Sequence, residues 1–162
     1  MMSIQGLQKL EVWRRTKDFA LKIYREGLPL LPAEEKWGLA QPLRRSSESI
    51  SANLAEGYGR LYYQDNIRFC YNARGSLEET LSHLVFAHEV GYLPVELYRV
   101  LEQEGEELTR MINGYIAYLK RSNQGNAEPG ADRTLRELPE AYIIGTVDEH
   151  PENCSLLSHE EE

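Results

Sequence analysis

The sequence has no long apolar run and only two cysteines, and both features exclude classes of protein. Its 162 residues contain no stretch of about 18 apolar residues, which a membrane-spanning helix would need. The first ten residues also lack the apolar core of a secretory signal. Cys70 and Cys154 lie far apart, which fits isolated thiols in a reducing compartment better than a disulfide framework. We therefore expect a cytoplasmic protein without a membrane segment.

The chain also lacks the sequence motifs of catalytic and cofactor sites. There is no G-x-S-x-G elbow, and Gly57-Tyr58-Gly59 lacks the third glycine and the preceding strand of a phosphate-binding loop. His83 and His88 are five residues apart, and neither has the glutamate three positions earlier that a di-iron bundle uses. Glu79 and His83 could share a metal, but an ordinary polar histidine explains this spacing better. We expect no catalytic residue, no metal site and no cofactor, and hence no enzyme.

Acidic residues exceed basic ones, but the excess is confined to one end of the sequence. The formal net charge is −8, with 26 Asp and Glu against 18 Lys and Arg. Residues 126–162 hold ten acids and two arginines, whereas residues 1–75 carry a net charge of +4 and residues 76–125 of −4. This division bears on self-association and on anionic partners. A mixed solvated surface would account for it equally well.

Apolar residues recur at three- and four-residue steps over most of the chain, which indicates amphipathic helices. Four helices are predicted, at about residues 7–31, 37–58, 65–90 and 94–121. No segment of the first 120 residues alternates as a strand would. The sequence therefore predicts an all-α fold, in which residues 1–122 form an antiparallel up-down four-helix bundle.

Glycine, proline and one acid mark expected helix ends. Gly57 and Gly59 are expected to end the second helix by adopting left-handed conformations. Asp65 is a candidate cap for the third helix. Gly91 and Pro94 predict the break before the fourth helix, with the proline at its first position.

Residues 123–162 differ in composition from the rest of the chain. Asn, Gly and Pro are frequent at the start of this segment, and the remainder is acidic. We expect a mostly disordered acidic C-terminal tail, because few apolar residues are available to form a core. One apolar island, residues 142–147, could be a short docking segment or simply part of an untethered tail.

Four residues near the end of the second predicted helix form a polar and glycine-rich set: Asn53, Glu56, Gly57 and Gly59. Asn53 and Glu56 are three apart and share a helix face. The amide could satisfy carbonyl groups near the helix end, and the carboxylate could pair with a basic side chain. Candidate partners for that carboxylate are Arg44, Arg45 and Arg74. We interpret the set as a structural corner, with ligand binding as the alternative.

Small residues recur every four positions in the same helix. Ser47, Ser51 and Ala55 form one row, and Ser49 and Asn53 form another. Small side chains allow a second helix to approach closely. The spacing leaves open whether that helix belongs to the same chain or to another copy.

Arginines and tyrosines accumulate between residues 44 and 74, where Tyr58 and Tyr71 also lie. Guanidinium groups donate paired hydrogen bonds to phosphates, and tyrosine rings offer stacking faces for bases. The candidate nucleic-acid-binding residues are Arg44, Arg45, Arg60, Arg68, Arg74, Tyr62 and Tyr63. In an assembly of several copies each residue is repeated, which raises the local positive potential. Alternatively, the arginines pair with acids and the tyrosines pack in the core or between subunits.

Several of these residues belong to longer motifs. LRR at residues 43–45, followed by SISANLAEGYGR at residues 49–60, resembles the "IRRAAxSIxxNIAEGxGR" signature of the 23S rRNA intervening-sequence family of four-helix-bundle proteins. LEVW at residues 10–13, RFCYNARGSLEE at residues 68–79 and GYL at residues 91–93 are similar to further parts of that family's pattern. The matches follow the family's order over roughly residues 8–121.

The resemblance implies an antiparallel four-helix bundle that assembles as a ring-like homopentamer, and it implies no settled activity. A structural relative is the accessory protein of diversity-generating retroelements, a basic pentamer that binds nucleic acid and a reverse transcriptase. By analogy we expect a non-enzymatic homo-oligomeric scaffold, pentameric in form, with RNA or DNA as its candidate partner. The alternative is a protein–protein interaction module that recruits a protein partner and does not bind nucleic acid.

Overall fold

The computed structural model describes residues 4–60 and 62–122, and these form five α-helices and no β-strand. The helices are α1 (Ile4–Leu7), α2 (Glu11–Lys22), α3 (Ala40–Gly59), α4 (Tyr63–Glu89) and α5 (Val95–Arg121). The four long helices are antiparallel, and α2 and α4 each pack against both α3 and α5. This arrangement confirms the predicted all-α four-helix bundle. The expected tail lies outside the described residues.

The apolar stripes of the long helices meet at the centre of the bundle. The largest fully buried apolar side chains are Phe19, Ile23, Leu43, Ile50, Leu54, Leu77, Leu84, Leu101, Leu108, Ile112 and Ile116. Burying a side chain of this kind stabilises a fold by roughly 1.5–3 kcal/mol. Burial of the core is therefore the main favourable contribution to the free energy of folding.

The first predicted helix is interrupted at its start and distorted at its end. α1 ends at Leu7, and Leu10 is extended with a ψ of 107°, so α2 is a separate helix. After α2 the chain forms a wider π-helical turn, Ile23–Gly27, and then a tight 3-10 turn, Leu28–Leu30. Pro29 lies in that last turn and has no N–H to continue a regular helix. The prediction of one continuous helix is therefore wrong in this segment.

The end of α3 is not formed by left-handed glycines. Gly57 and Gly59 both lie inside α3, and among the glycines of residues 4–60 and 62–122 only Gly91 has a positive φ, of 85°. The helix ends because Arg60 is extended, with a ψ of 146°. Gly57 has a different role: a Cβ there would lie 2.8 Å from Phe69 Cβ, so α3 and α4 can approach this closely only without it.

The start of α4 also differs from the prediction. Asp65 is not its cap, because α4 begins at Tyr63 and the residue before it makes no side-chain cap hydrogen bond. Asp65 lies in the first turn, where a carboxylate interacts favourably with the positive end of the helix dipole. It also lies 3.8 Å from the Arg68 guanidinium, one turn further along.

The turn between α4 and α5 follows the predicted break. Gly91 takes the left-handed conformation, and the N–H groups of Tyr92 and Leu93 both donate to the Ala87 carbonyl. Pro94 is extended and lies one residue before α5, so the prediction that it occupies the first helical position is wrong by one residue. The Tyr92 hydroxyl donates to Glu35 Oε1 at 3.2 Å, which ties this turn to the segment before α3. We call this end of the bundle the loop end, and the α3–α4 turn marks the opposite end.

Small hydroxyl residues line the seam between α3 and α4. Ser46 Oγ lies 2.9 Å from Thr80 Oγ1, and Ser49 Oγ lies 3.0 Å from Ser76 Oγ. Asn53 donates to the Ser49 hydroxyl and carbonyl on its own helix. The row that contains Ser49 and Asn53 therefore serves close packing within one chain.

None of the helices in the described part of the chain combines the length and the apolar character that a membrane crossing requires.

Candidate nucleic-acid interface

The seven candidate binding residues fall into separate places on the bundle. Arg44 and Arg45 lie near the start of α3, at the loop end. The other five are Arg60, Tyr62 and Tyr63 at the α3–α4 turn and Arg68 and Arg74 in the first half of α4. Arg45 and Arg60 are fifteen residues apart, or roughly 22 Å along a helix that rises 1.5 Å per residue. The set is therefore not one continuous surface.

Arg44 and Arg45 face different neighbours. The Arg44 guanidinium lies 5.8 Å from the centre of the Tyr24 ring in the π-helical turn after α2. Arg45 Nη2 lies 3.9 Å from Glu79 Oε1 on α4, and its side chain is 80% exposed. An ion pair that long and that exposed contributes little to stability, so both guanidinium groups remain accessible to another molecule.

The α3–α4 turn is held by local contacts. Arg60 pairs with Glu56 one turn earlier, and its guanidinium lies 4.8 Å from the centre of the Phe69 ring. Glu56 thus pairs with Arg60 and with none of the three arginines named as candidates above. Tyr62 is 45% exposed, whereas Tyr63 is partly buried and packs against the core.

A cluster of polar side chains joins α4 to α5 near the same end. The Tyr71 ring has the Arg74 guanidinium 4.9 Å from its centre and the Lys120 ammonium 5.4 Å from it. Lys120 Nζ donates to the Tyr71 hydroxyl at 2.7 Å, and Arg74 Nη1 donates to Asn113 Oδ1 at 2.9 Å. We call Tyr71, Arg74, Asn113 and Lys120 the Tyr71 cluster.

The Tyr71 cluster holds two cations around one aromatic ring. Both approach it at cation–π distance, so like charges are fixed near each other at a cost in repulsion. The contacts that hold the Arg74 guanidinium are with an amide and a ring, neither of which carries a charge. No carboxylate in the described part of the chain forms an ion pair with Arg74. A phosphate matches the planar donors of the Arg74 guanidinium.

Sequence reasoning found Arg74 and Tyr71 but missed Asn113 and Lys120. The predicted antiparallel order of the last two helices could have indicated these residues, because it brings the end of α5 beside the start of α4. The level at which they meet depends on packing around Leu81 and Gly105, which apolar spacing in either helix alone does not give.

His83 and His88 lie apart and have different contacts. His83 Nε2 is 3.7 Å from Glu79 Oε1 and has no hydrogen-bond partner. His88 stacks on Tyr98 with 4.3 Å between ring centres, and its Nδ1 lies 3.0 Å from the Leu93 carbonyl oxygen. No three His, Cys, Asp or Glu side chains of residues 4–60 and 62–122 converge as metal ligands.

The Cys70 thiol lies fully inside the bundle. Burial raises its pKa to about 12, because a thiolate would lose its hydration there. Only the thiolate is an effective nucleophile, so this cysteine is chemically inert in the folded protein.

Comparison with known families rests on the same helices that carry these residues. Residues 8–114 match the model of the 23S rRNA-intervening sequence protein family. The chain belongs to this family. The match includes α2, α3, α4 and most of α5, so it contains all of the Tyr71 cluster except Lys120.

A solved structure has a similar fold. It is a crystal structure of a protein of unknown function from the S23 ribosomal protein family of Bacteroides thetaiotaomicron, 22% identical in sequence, with a TM-score of 0.60. The similarity covers 65% of this chain and 97% of that one. No curated protein sequence matches the chain. These comparisons establish the family and the fold.

Proposed function

We propose that this family member is a non-enzymatic, homo-oligomeric scaffold that binds RNA or DNA. The observation that carries the proposal is the Tyr71 cluster, in which Arg74 and Lys120 are held beside one aromatic ring. A guanidinium and an ammonium fixed in this way are suited to successive phosphates of a nucleic-acid backbone. Exposed Arg68, one turn before Tyr71 on α4, would extend the positive surface.

Assembly would strengthen such a surface. One copy offers only a few phosphate contacts, whereas a ring repeats each contact and increases avidity. The pentameric form of the proposal rests on the resemblance of the chain's motifs to the family, which implies a ring-like homopentamer. The reducing, cytoplasmic setting rests on the two isolated cysteines.

The decisive experiment removes the two cations of the cluster. Arg74→Ala/Lys120→Ala is compared with Arg14→Ala/Lys17→Ala, which also removes one arginine and one lysine, from the surface of α2. Affinity for single-stranded and duplex RNA and DNA is measured by fluorescence anisotropy over a range of salt. We expect the first variant to bind about tenfold more weakly or worse and its log–log salt slope to fall by about 2. The second should bind like the original protein.

Two results would contradict the nucleic-acid part of the proposal. Equal weakening by both variants would indicate only a general charge effect. An absence of salt-dependent binding by the original protein, together with persistent self-assembly, would favour the alternative of a protein-interaction module.

A further inference from the structure

Charge is divided along the hairpin that α4 and α5 form. Residues 78–107, which include the turn between the two helices, contain eight acids and one arginine. The other half of the hairpin, residues 63–77 and 108–121, contains one acid and five basic residues. This basic half is the one near the α3–α4 turn, and it includes the Tyr71 cluster. An anionic polymer would therefore be repelled by one half of the hairpin and attracted by the other.

The basic half of the hairpin carries an aromatic ring that is suited to stacking. The Tyr71 ring is already covered, because the Arg74 and Lys120 cations both lie over it. Tyr118, near the end of α5, is 59% exposed, more than any other tyrosine of the described residues. Its ring stacks on Tyr115, with 6.4 Å between ring centres and 14° between the planes. Since Tyr115 is partly buried against the core, it supports the Tyr118 ring, and the rest of that ring is exposed.

Tyr118 and Lys120 lie on opposite flanks of α5. Lys120 donates to the Tyr71 hydroxyl, so it faces α4. Glu107 contacts α2 through Arg15, and it precedes Tyr118 by eleven residues, or about three helical turns, so Tyr118 lies on the α2 flank. A helix with its side chains is about 10–12 Å wide. A nucleic-acid strand that advances about 3.4 Å per nucleotide would cross it with three or four nucleotides.

The surface of α5 between Tyr118 and Lys120 is low and basic. Three exposed residues form it: Gly114, Ala117 and Arg121. Nothing outside the local helix lies within 4 Å of the position that a Gly114 Cβ would take. Ala117 adds only a methyl group, so a strand can lie close to the helix. The Arg121 side chain adds a third cation along this path.

We propose that this surface of α5 binds single-stranded nucleic acid by stacking an unpaired base on Tyr118. Arg121 and the two cations of the Tyr71 cluster bind the adjoining phosphates. The inference rests on the proposed function, and it names the class of nucleic acid and the stacking residue. Cations beside an exposed aromatic ring are typical of surfaces that bind single strands, because every base has a face that can stack. In a duplex these faces are covered by neighbouring base pairs, so a duplex reaches only the cations.

The test changes the Tyr118 ring in the full-length protein and compares single-stranded with duplex probes. Tyr118→Ala removes the stacking face, whereas Tyr118→Phe keeps it. Phe86→Ala is the matched control, because Phe86 is a 54% exposed aromatic residue in the acidic half of the same hairpin. The probes are a labelled, unstructured oligodeoxynucleotide of about 16 nucleotides, the duplex with its complement, and an abasic strand of the same length. Affinity is measured by fluorescence anisotropy at several salt concentrations, and circular dichroism checks that each variant is folded.

We expect Tyr118→Ala to bind the single strand about fivefold to a hundredfold more weakly, which is the range for one stacked base. Its affinity for the duplex and the slope of its salt dependence should not change, because the ring contacts no phosphate. Tyr118→Phe and Phe86→Ala should bind the single strand like the original protein. The original protein should bind the abasic strand about as weakly as Tyr118→Ala binds the intact strand.

Four results would overturn the inference: undiminished single-strand binding by Tyr118→Ala, equal weakening with both strand types, weak binding by Tyr118→Phe, or equal binding of intact and abasic strands by the original protein. In each case a reduced salt slope in Arg74→Ala/Lys120→Ala would leave the proposed function standing. Failure of the original protein to bind any probe would overturn both the inference and the nucleic-acid part of the proposed function.

Discussion

Adding a β-carbon would have opposite effects on stability at two glycines of the bundle. At Gly57, a Cβ would lie 2.8 Å from Phe69 Cβ and 3.1 Å from the Asn66 carbonyl oxygen. These atoms belong to or adjoin the backbone of α4, so no side-chain rotation can make room. At Gly114, in the second half of α5, nothing lies within 4 Å of that position. A glycine in an exposed helix is less stable than alanine by about 0.5–1 kcal/mol.

The first prediction compares alanine at these two positions. Gly57→Ala should lower the free energy of unfolding by about 1–3 kcal/mol, since the two helices must separate. Gly114→Ala should raise it by about 0.5–1 kcal/mol, because a helix former replaces glycine in open space. Urea unfolding followed by circular dichroism measures both. Changes of the same sign would contradict the packing described at Gly57, or would show that the surface near Gly114 is covered by another copy.

At the scale of elements, the seam between α3 and α4 combines close approach with buried polarity. The Thr80 hydroxyl can donate to the Ser46 hydroxyl at 2.9 Å or to the Ser76 carbonyl at 2.8 Å. Ser46 and Thr80 are both almost fully buried. A buried polar group that loses its partner costs more free energy than an apolar group in its place. Matched pairs of hydroxyl groups on α3 and α4 therefore determine how the two helices align.

A second prediction follows for this seam. Thr80→Val should lower the free energy of unfolding by about 1–3 kcal/mol, because the Ser46 hydroxyl loses its cross-helix partner. Adding Ser46→Ala should cost less than the same change made alone, since the cross-helix hydrogen bond that it would break is already absent. A double-mutant cycle under denaturant measures the coupling. Fully additive effects would show that the hydroxyl groups do not interact.

The same scale shows why sequence predicts some features and not others. The four helices follow from apolar spacing, because only one face of each can be buried at Leu43, Leu77 or Leu108. Helix ends were predicted with less success, because Arg60 and Leu10 leave the helix through extended backbone, which any residue can adopt. The pairing of Arg74 with Asn113 could not be predicted, since it depends on the level at which two helices meet.

For the molecule as a whole, charge is divided along the chain. Residues 1–125 are neutral in sum, and the net charge of −8 resides in residues 126–162. A nucleic acid approaching the Tyr71 cluster would meet repulsion from this segment wherever the two are within a Debye length, about 10 Å at 0.1 M salt. Under the proposed function, the whole-chain charge therefore understates how strongly the bundle alone would attract an anionic polymer.

The third prediction removes residues 123–162. The shortened protein should bind nucleic acid more tightly in low salt, and the difference should shrink as salt rises, because screening weakens the repulsion. A full-length variant with the acids of residues 126–162 replaced by their amides is the matched control, and it should match the shortened protein. Identical affinities of shortened and original protein would reject masking by this segment.

The pairing of α2 with α5 joins the first and last long helices of the chain. Arg15 donates to Glu107 at 2.6 Å and Lys22 to Glu104, across 92 and 82 residues. A chain leaving the ribosome from its N-terminus would expose the apolar face of α2 until α5 has been synthesised. Contacts between residues so far apart in sequence also form more slowly than those of the local α3–α4 hairpin. Until α2 has paired with α5, the exposed face of α2 in a nascent chain of this family would be most able to pair wrongly with a neighbouring chain on the same messenger RNA.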